Sequence, residues 1–93
     1  MENKDIKERL YSVERTICTY TQTNEFVREI NIDNIPFETL STIVSPKNDD
    51  PLLYDGYLLT AHQLNRLNSL INIKIEIDLD SFFYVLECSG IYN

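Results

Sequence analysis

Few residues in this 93-residue sequence are spaced for chemistry, and each candidate set is short of a partner. The single histidine, His62, falls where a helix is expected to begin. One imidazole builds no metal site without carboxylate or thiolate help. Asp78-Leu79-Asp80 has the D-x-D form of some metal and glycosyl-transfer sites. Residues two apart on an extended chain point the same way, so the carboxylates can converge. A metal site needs further oxygen ligands, and no calcium-loop spacing accompanies the pair. The pair therefore reads as a solvated acidic face, one form of which is a partner-facing face. Cys18 and Cys88 are too few for a disulfide framework or a zinc site, and both sit in strand-like segments as small hydrophobes, so free buried thiols are expected. The only glycines are Gly56 and Gly90, which excludes the phosphate-binding, dinucleotide and nucleophile-elbow motifs. No catalytic residues, metal or cofactor are expected.

What remains is surface chemistry. Tyr54-Asp55-Gly56-Tyr57 places two tyrosines and an acid beside Asp49 and Asp50. Tyrosine is enriched at interfaces because it joins a large rigid ring to a polar tip. The rings could equally cover the base of the following helix. Taken with Glu76, Asp78 and Asp80, the loop would form an acidic, aromatic-studded patch able to imitate a phosphate backbone. The expected partner-binding residues are Asp49, Asp50, Tyr54, Asp55, Tyr57, Glu76, Asp78 and Asp80.

Charge points the same way. Fifteen acids against eight bases give a formal net charge of −7. Nucleic acid and anionic membranes need clustered Lys or Arg, so neither is an expected partner. A basic protein partner and salt-sensitive association fit better, although acidity also serves plain solubility. The second half is the more acidic: beyond residue 47, Arg66 and Lys74 are the only bases against seven acids. The polar start, Met1-Glu2-Asn3-Lys4-Asp5, carries no apolar secretory core, and no run approaches the ~20 apolar residues of a membrane span. A cytoplasmic location is expected.

These residues must be held by one small domain, 1–93, with residues 1–8 as a frayed polar lead-in. Residues 9–20 alternate as a strand, with Tyr11, Val13 and Ile17 on one face and Arg15 interrupting it. After the polar turn Thr21-Gln22-Thr23-Asn24, residues 26–32 resume alternation through Phe26, Ile30 and Ile32, which predicts a hairpin. Pro36 opens a short helix whose stripe is Phe37, Leu40, Ile43 and Val44. An irregular segment, 45–58, leads to a second helix, marked by the capping box Thr60/Gln63 and the staple pair Leu59/Leu64, with Leu67, Leu70 and Ile71 continuing its apolar face. The period then falls to two over residues 73–79, predicting a strand with Glu76, Asp78 and Asp80 outward. A last strand, 82–88, is apolar on nearly both sides and belongs near the centre of the sheet. The expected fold is α+β, in the order ββααββ: an antiparallel sheet of about four strands covered by two helices.

This layout resembles small immunity proteins of bacterial contact-dependent inhibition and other polymorphic toxin systems. The resemblance runs from Tyr11-Ser12-Val13-Glu14-Arg15 through Phe26-Val27-Arg28-Glu29-Ile30 and Leu53-Tyr54-Asp55-Gly56-Tyr57-Leu58-Leu59-Thr60. It closes with Ile77-Asp78-Leu79-Asp80 and Phe83-Tyr84-Val85-Leu86-Glu87, covering roughly residues 9–88. It is a pattern of element order and spacing, without an invariant binding motif. It implies a cytoplasmic antidote that binds a cognate toxin domain, in many such systems a nuclease with a basic cleft. The alternative is a small structural or regulatory subunit that pairs through a sheet edge or as a homodimer.

Overall fold

The computed structural model describes residues 10–92, with side-chain surroundings for 13–90; the expected lead-in, 1–8, lies outside the described residues. The elements are β1 (Leu10–Thr21), β2 (Phe26–Asn31), α1 (Phe37–Ile43), β3 (Tyr57–Leu58), α2 (Ala61–Asn68) and β4 (Phe82–Tyr92). The four strands form one antiparallel sheet in the order β2-β1-β4-β3. The α+β class, the strand number and the two helices agree with expectation, and β4 lies inside the sheet.

One strand comes from a different place. Residues 73–79 form no strand, and the third strand in chain order is Tyr57–Leu58. The cause is a competition for backbone groups. The Asn68 side chain donates to the Ile75 carbonyl at 2.8 Å and accepts from the Ile75 N–H at 2.7 Å, taking both groups a neighbouring strand would use. The Tyr84 hydroxyl accepts from the Asp78 N–H at 3.0 Å and donates to the Glu76 carbonyl at 2.8 Å. Two side chains thus satisfy the segment, and backbone groups already paired have no drive to join a ladder. The period-two pattern survives only at the centre, where Ile75 is buried and Ile77 half-buried between exposed Lys74, Glu76 and Asp78, while Ile73 and Leu79 are exposed.

The core lies on one face of the sheet. Ile17, Tyr84 and Leu86 meet Leu40 and Ile43 of α1 and Leu64 and Leu67 of α2. The capping box forms as expected: Thr60 Oγ1 accepts from the Gln63 N–H, and Gln63 Oε1 accepts from the Thr60 N–H at 2.9 Å. Leu59 and Leu64 are both buried. Leu70 is exposed, because α2 ends at Asn68 and the chain turns there. Arg15, on the core side, is half-buried at the break it makes in the apolar pattern. Its guanidinium sits 5.1 Å from the centre of the Phe37 ring and donates to the Leu52 carbonyl at 2.6 Å, tying β1 to α1 and to the following loop.

The hairpin turn is set by Asn24, whose φ of 71° is a conformation asparagine tolerates. A bulge then shifts the register, so that Arg28 faces Thr19 but Phe26 faces Tyr20. Strict alternation would put Phe26 on the core side with Ile30. The extra residue turns Phe26 to the opposite face, where its ring meets Tyr20 edge-on at 5.9 Å.

Candidate functional site

The expected patch divides into two regions. The Asp49–Tyr57 half is a compact loop organised from within. Asp50 is only 6% exposed and does not face a partner. Its carboxylate accepts from the Tyr54 N–H at 2.8 Å, the Asp55 N–H at 2.9 Å and the Tyr57 hydroxyl at 2.7 Å. Burial would raise its pKa, but these three donors outweigh burial and hold it below the ordinary aspartate value. Asp50 therefore shapes the loop, because a segment rich in unpaired N–H groups closes most readily around an acceptor with several lone pairs.

The same network engages Tyr57. Its hydroxyl also accepts from the Lys47 N–H, and its ring lies 5.4 Å from the Lys47 ammonium. Lys47 in turn pairs with Asp55 at 3.0 Å, with both side chains more than half exposed. Tyr54 and Asp49 remain exposed. Within the loop, Leu53 adopts a φ of 58° and is fully buried. Such a backbone costs about 1–3 kcal/mol, comparable with the roughly 1.5–3 kcal/mol gained by burying leucine. The buried plug is what holds this conformation in place.

Glu76, Asp78 and Asp80 are all exposed, but elsewhere. Leu52 of the loop is held at Arg15, midway along β1, whereas the Leu79 carbonyl accepts from Gln22 just beyond its C-terminal end. From Arg15 to Thr21 is about 20 Å of extended strand. Asp78 also makes the turn into β4, its carbonyl accepting from Phe82 N–H at 2.9 Å. The loop and the 76–80 segment are two acidic regions rather than one.

A third surface was not anticipated from the sequence. On the face opposite the helices, Phe26, Tyr20 and Phe83 lie side by side across β2, β1 and β4. The next row holds Glu29, Cys18, Val85 and Leu58, and the one after it Thr16 between Asn31 and Glu87. Tyr20 stacks on Phe83 at 5.3 Å, and its hydroxyl donates to Glu87 at 2.7 Å. Leu58 is 70% and Phe26 58% exposed, and among the described residues no helix covers this face. The signal for it was present: β4 is apolar on both sides, while two short helices can cover only one.

Cys18 and Cys88 are both free. Cys18 lies opposite Val85 on the open face and Cys88 opposite Arg15 on the core face, so they cannot meet in a disulfide. Burial raises both thiol pKa values. His62 is exposed in the first turn of α2. Among the described residues, no three His, Cys, Asp or Glu side chains converge as metal ligands. Two cavities, of about 160 and 230 Å³, lie beside β2, one lined by Arg28, Glu76 and Tyr84 and the other by Ile30, Ile71 and Ile73. Both fall below the ~300 Å³ at which small-molecule sites usually begin. Among the described residues no helix is long and apolar enough to cross a membrane.

Comparison with curated proteins and with solved structures returns no match. One family model, described as a domain of unknown function (DUF7683), matches residues 14–87. That span starts within β1, ends within β4 and takes in both helices, both acidic regions and most of the open sheet face, and the chain belongs to this DUF7683 family.

Proposed function

We propose that this chain is a binding protein, not an enzyme: a cytoplasmic antidote that neutralises a basic toxin domain in the manner of the immunity proteins it resembles. The observation that carries the reading is a pair of acidic regions in which most exposed carboxylates form no salt bridge among the described residues. Asp49, Glu76, Asp78 and Asp80 are exposed, and among the described residues the one salt bridge is Lys47–Asp55. Carboxylates without internal counter-ions remain free to meet a partner's Lys and Arg, and they accelerate encounter with it. Asp50 supports the loop region from beneath. A nuclease is the toxin type whose basic cleft such a surface fits best.

The test is capture of partners from a bacterial lysate at low salt with the tagged full chain, followed by identification by mass. Recovery of a basic toxin domain that elutes as salt rises is the expected result. Asp78→Lys with Asp80→Lys should then slow association severalfold, with a loss of only a few degrees in melting temperature from the Asp78–Ser81 turn bond. Recovery of a neutral housekeeping complex, insensitive to salt, would overturn the reading.

A second reading, pairing through a sheet edge, is favoured by β2. It is an outer strand of six residues with Phe26 and Val27 exposed, and an unpaired edge of that kind is a template for another strand. Light scattering on the purified protein separates the two readings, since edge pairing between copies doubles the mass and is little affected by salt.

A further inference from the structure

We infer that the open face of the sheet is the docking surface for a short, arginine-bearing segment of a basic protein; this rests on the basic-partner reading above and gives that partner a place. The face combines two features that the acidic loop and the 76–80 segment lack. It carries an apolar band from edge to edge, through Phe26, Tyr20, Phe83, Val85 and Leu58. It is also acidic, through Glu14, Glu29 and Glu87, with no Lys or Arg on the same side in the paired region, since Arg15 and Arg28 both stand on the core side.

Charge and size select the occupant. Two copies of this chain placed face to face would oppose three glutamates with three glutamates, so a second copy fits poorly. Nucleic acid would meet the same repulsion. Four strands at ~4.8 Å spacing and six residues of rise give a surface of about 14 by 20 Å, roughly 300 Å². A stable interface between globular proteins needs about 800 Å² on each side. The face is therefore matched to one strand or helix, the centre of a larger contact at most. Arginine suits it better than lysine, because a guanidinium can stack on the aromatic row while its N–H groups reach a carboxylate. Among the described residues one Glu87 oxygen accepts from Tyr20, and the other carries no hydrogen bond.

The test is an amide NMR titration of the full chain with capped hexa-arginine at low salt, with hexa-lysine as comparator. Expected are saturable shifts centred on residues 16–20, 26–29 and 83–87, with tighter binding of the arginine peptide. The double variant Phe26→Ala with Glu29→Gln alters two exposed side chains and should weaken the peptide about five- to tenfold. Glu38→Gln, an exposed neutralisation on the helix side of the sheet, should change its affinity by less than about twofold. Shifts centred on residues 47–57 or 76–80, equal binding of the two peptides, or indifference to the face variant would each overturn the inference. A basic domain captured from lysate whose binding ignores Phe26→Ala with Glu29→Gln would overturn it too, while leaving the antidote reading in place. A face that takes hexa-arginine while capture yields only salt-insensitive complexes would do the reverse.

Discussion

Tyr20 and Glu87 are joined by a 2.7 Å hydrogen bond that crosses the row of the sheet between them. Tyr20 faces Phe83 and Glu87 faces Thr16, so the tyrosine must lean along β1 past Cys18 to reach the carboxylate. This accounts for a thiol that is only 3% exposed although it stands on the uncovered face. The bond also fixes the aromatic row, because a tyrosine held at its hydroxyl has no freedom to turn away from Phe83.

Donation to Glu87, helped by burial, raises the Tyr20 pKa from its ordinary 10 to about 12. The folded state thus favours the protonated phenol. Its stabilisation is fully present below pH 10 and is lost as pH rises from about 10 to about 12. Burial also raises the Tyr57 pKa, so alkaline titration by phenolate absorbance should show more than one late-ionising tyrosine, of which the latest moves back toward 10 in Glu87→Gln. A titration curve unchanged by that substitution would show that the bond does not hold in solution.

Asn68 should be among the most sensitive polar positions. Asn68→Ala removes the partners of both backbone groups of Ile75, at a cost of about 1–3 kcal/mol. For a domain of this size that lowers Tm by roughly 4–8 °C per kcal/mol. Tyr84→Phe should cost a similar amount, since it strips the hydroxyl from Glu76 and Asp78 but leaves the ring in the core. Thermal melts check both, and hydrogen exchange should accelerate at Ile75 in the first variant and at Asp78 in the second.

Asp50 ties loop order to pH. Its carboxyl is held below the ordinary value of 3.8, so the stability it contributes is present above about pH 4 and lost as pH falls below that. Asp50→Asn should melt several degrees lower than the native protein at neutral pH. The gap should close as both are taken to acid, where the native carboxylate is protonated. Melting curves across the acid range measure this; a constant gap would mean that the charge at Asp50 is immaterial.

The cysteines should behave as inert side chains. Burial raises both thiol pKa values, and the thiolate is the reactive form. Alkylation of the native protein should be slow at both sites and slowest at Cys18, the more buried of the two. Mild oxidation should form no intramolecular bridge. Mass spectrometry after timed alkylation, with a denatured control, reads both outcomes.

Local signals were sufficient where the deciding contacts are local. Thr60 and Gln63 are three residues apart and cap each other, so α2 is legible without the rest of the chain. The hairpin is equally legible, because Asn24 and its polar neighbours sit between two alternating runs. Net charge and the lack of a catalytic motif are likewise properties of the sequence alone. Tertiary structure decided whatever depended on a distant partner. Residues 73–79 carry a strand's periodicity, yet Asn68 and Tyr84 take their backbone bonds, and Tyr57–Leu58 pairs with β4 instead. Phe26 reads as a core residue until one bulge turns it outward. Asp50 and Asp49 are indistinguishable as neighbours in sequence, but only Asp50 has Tyr57 and two N–H groups converging on it. The open face could not be read from any one strand, because it exists only where four strands, drawn from three parts of the chain, align their second sides.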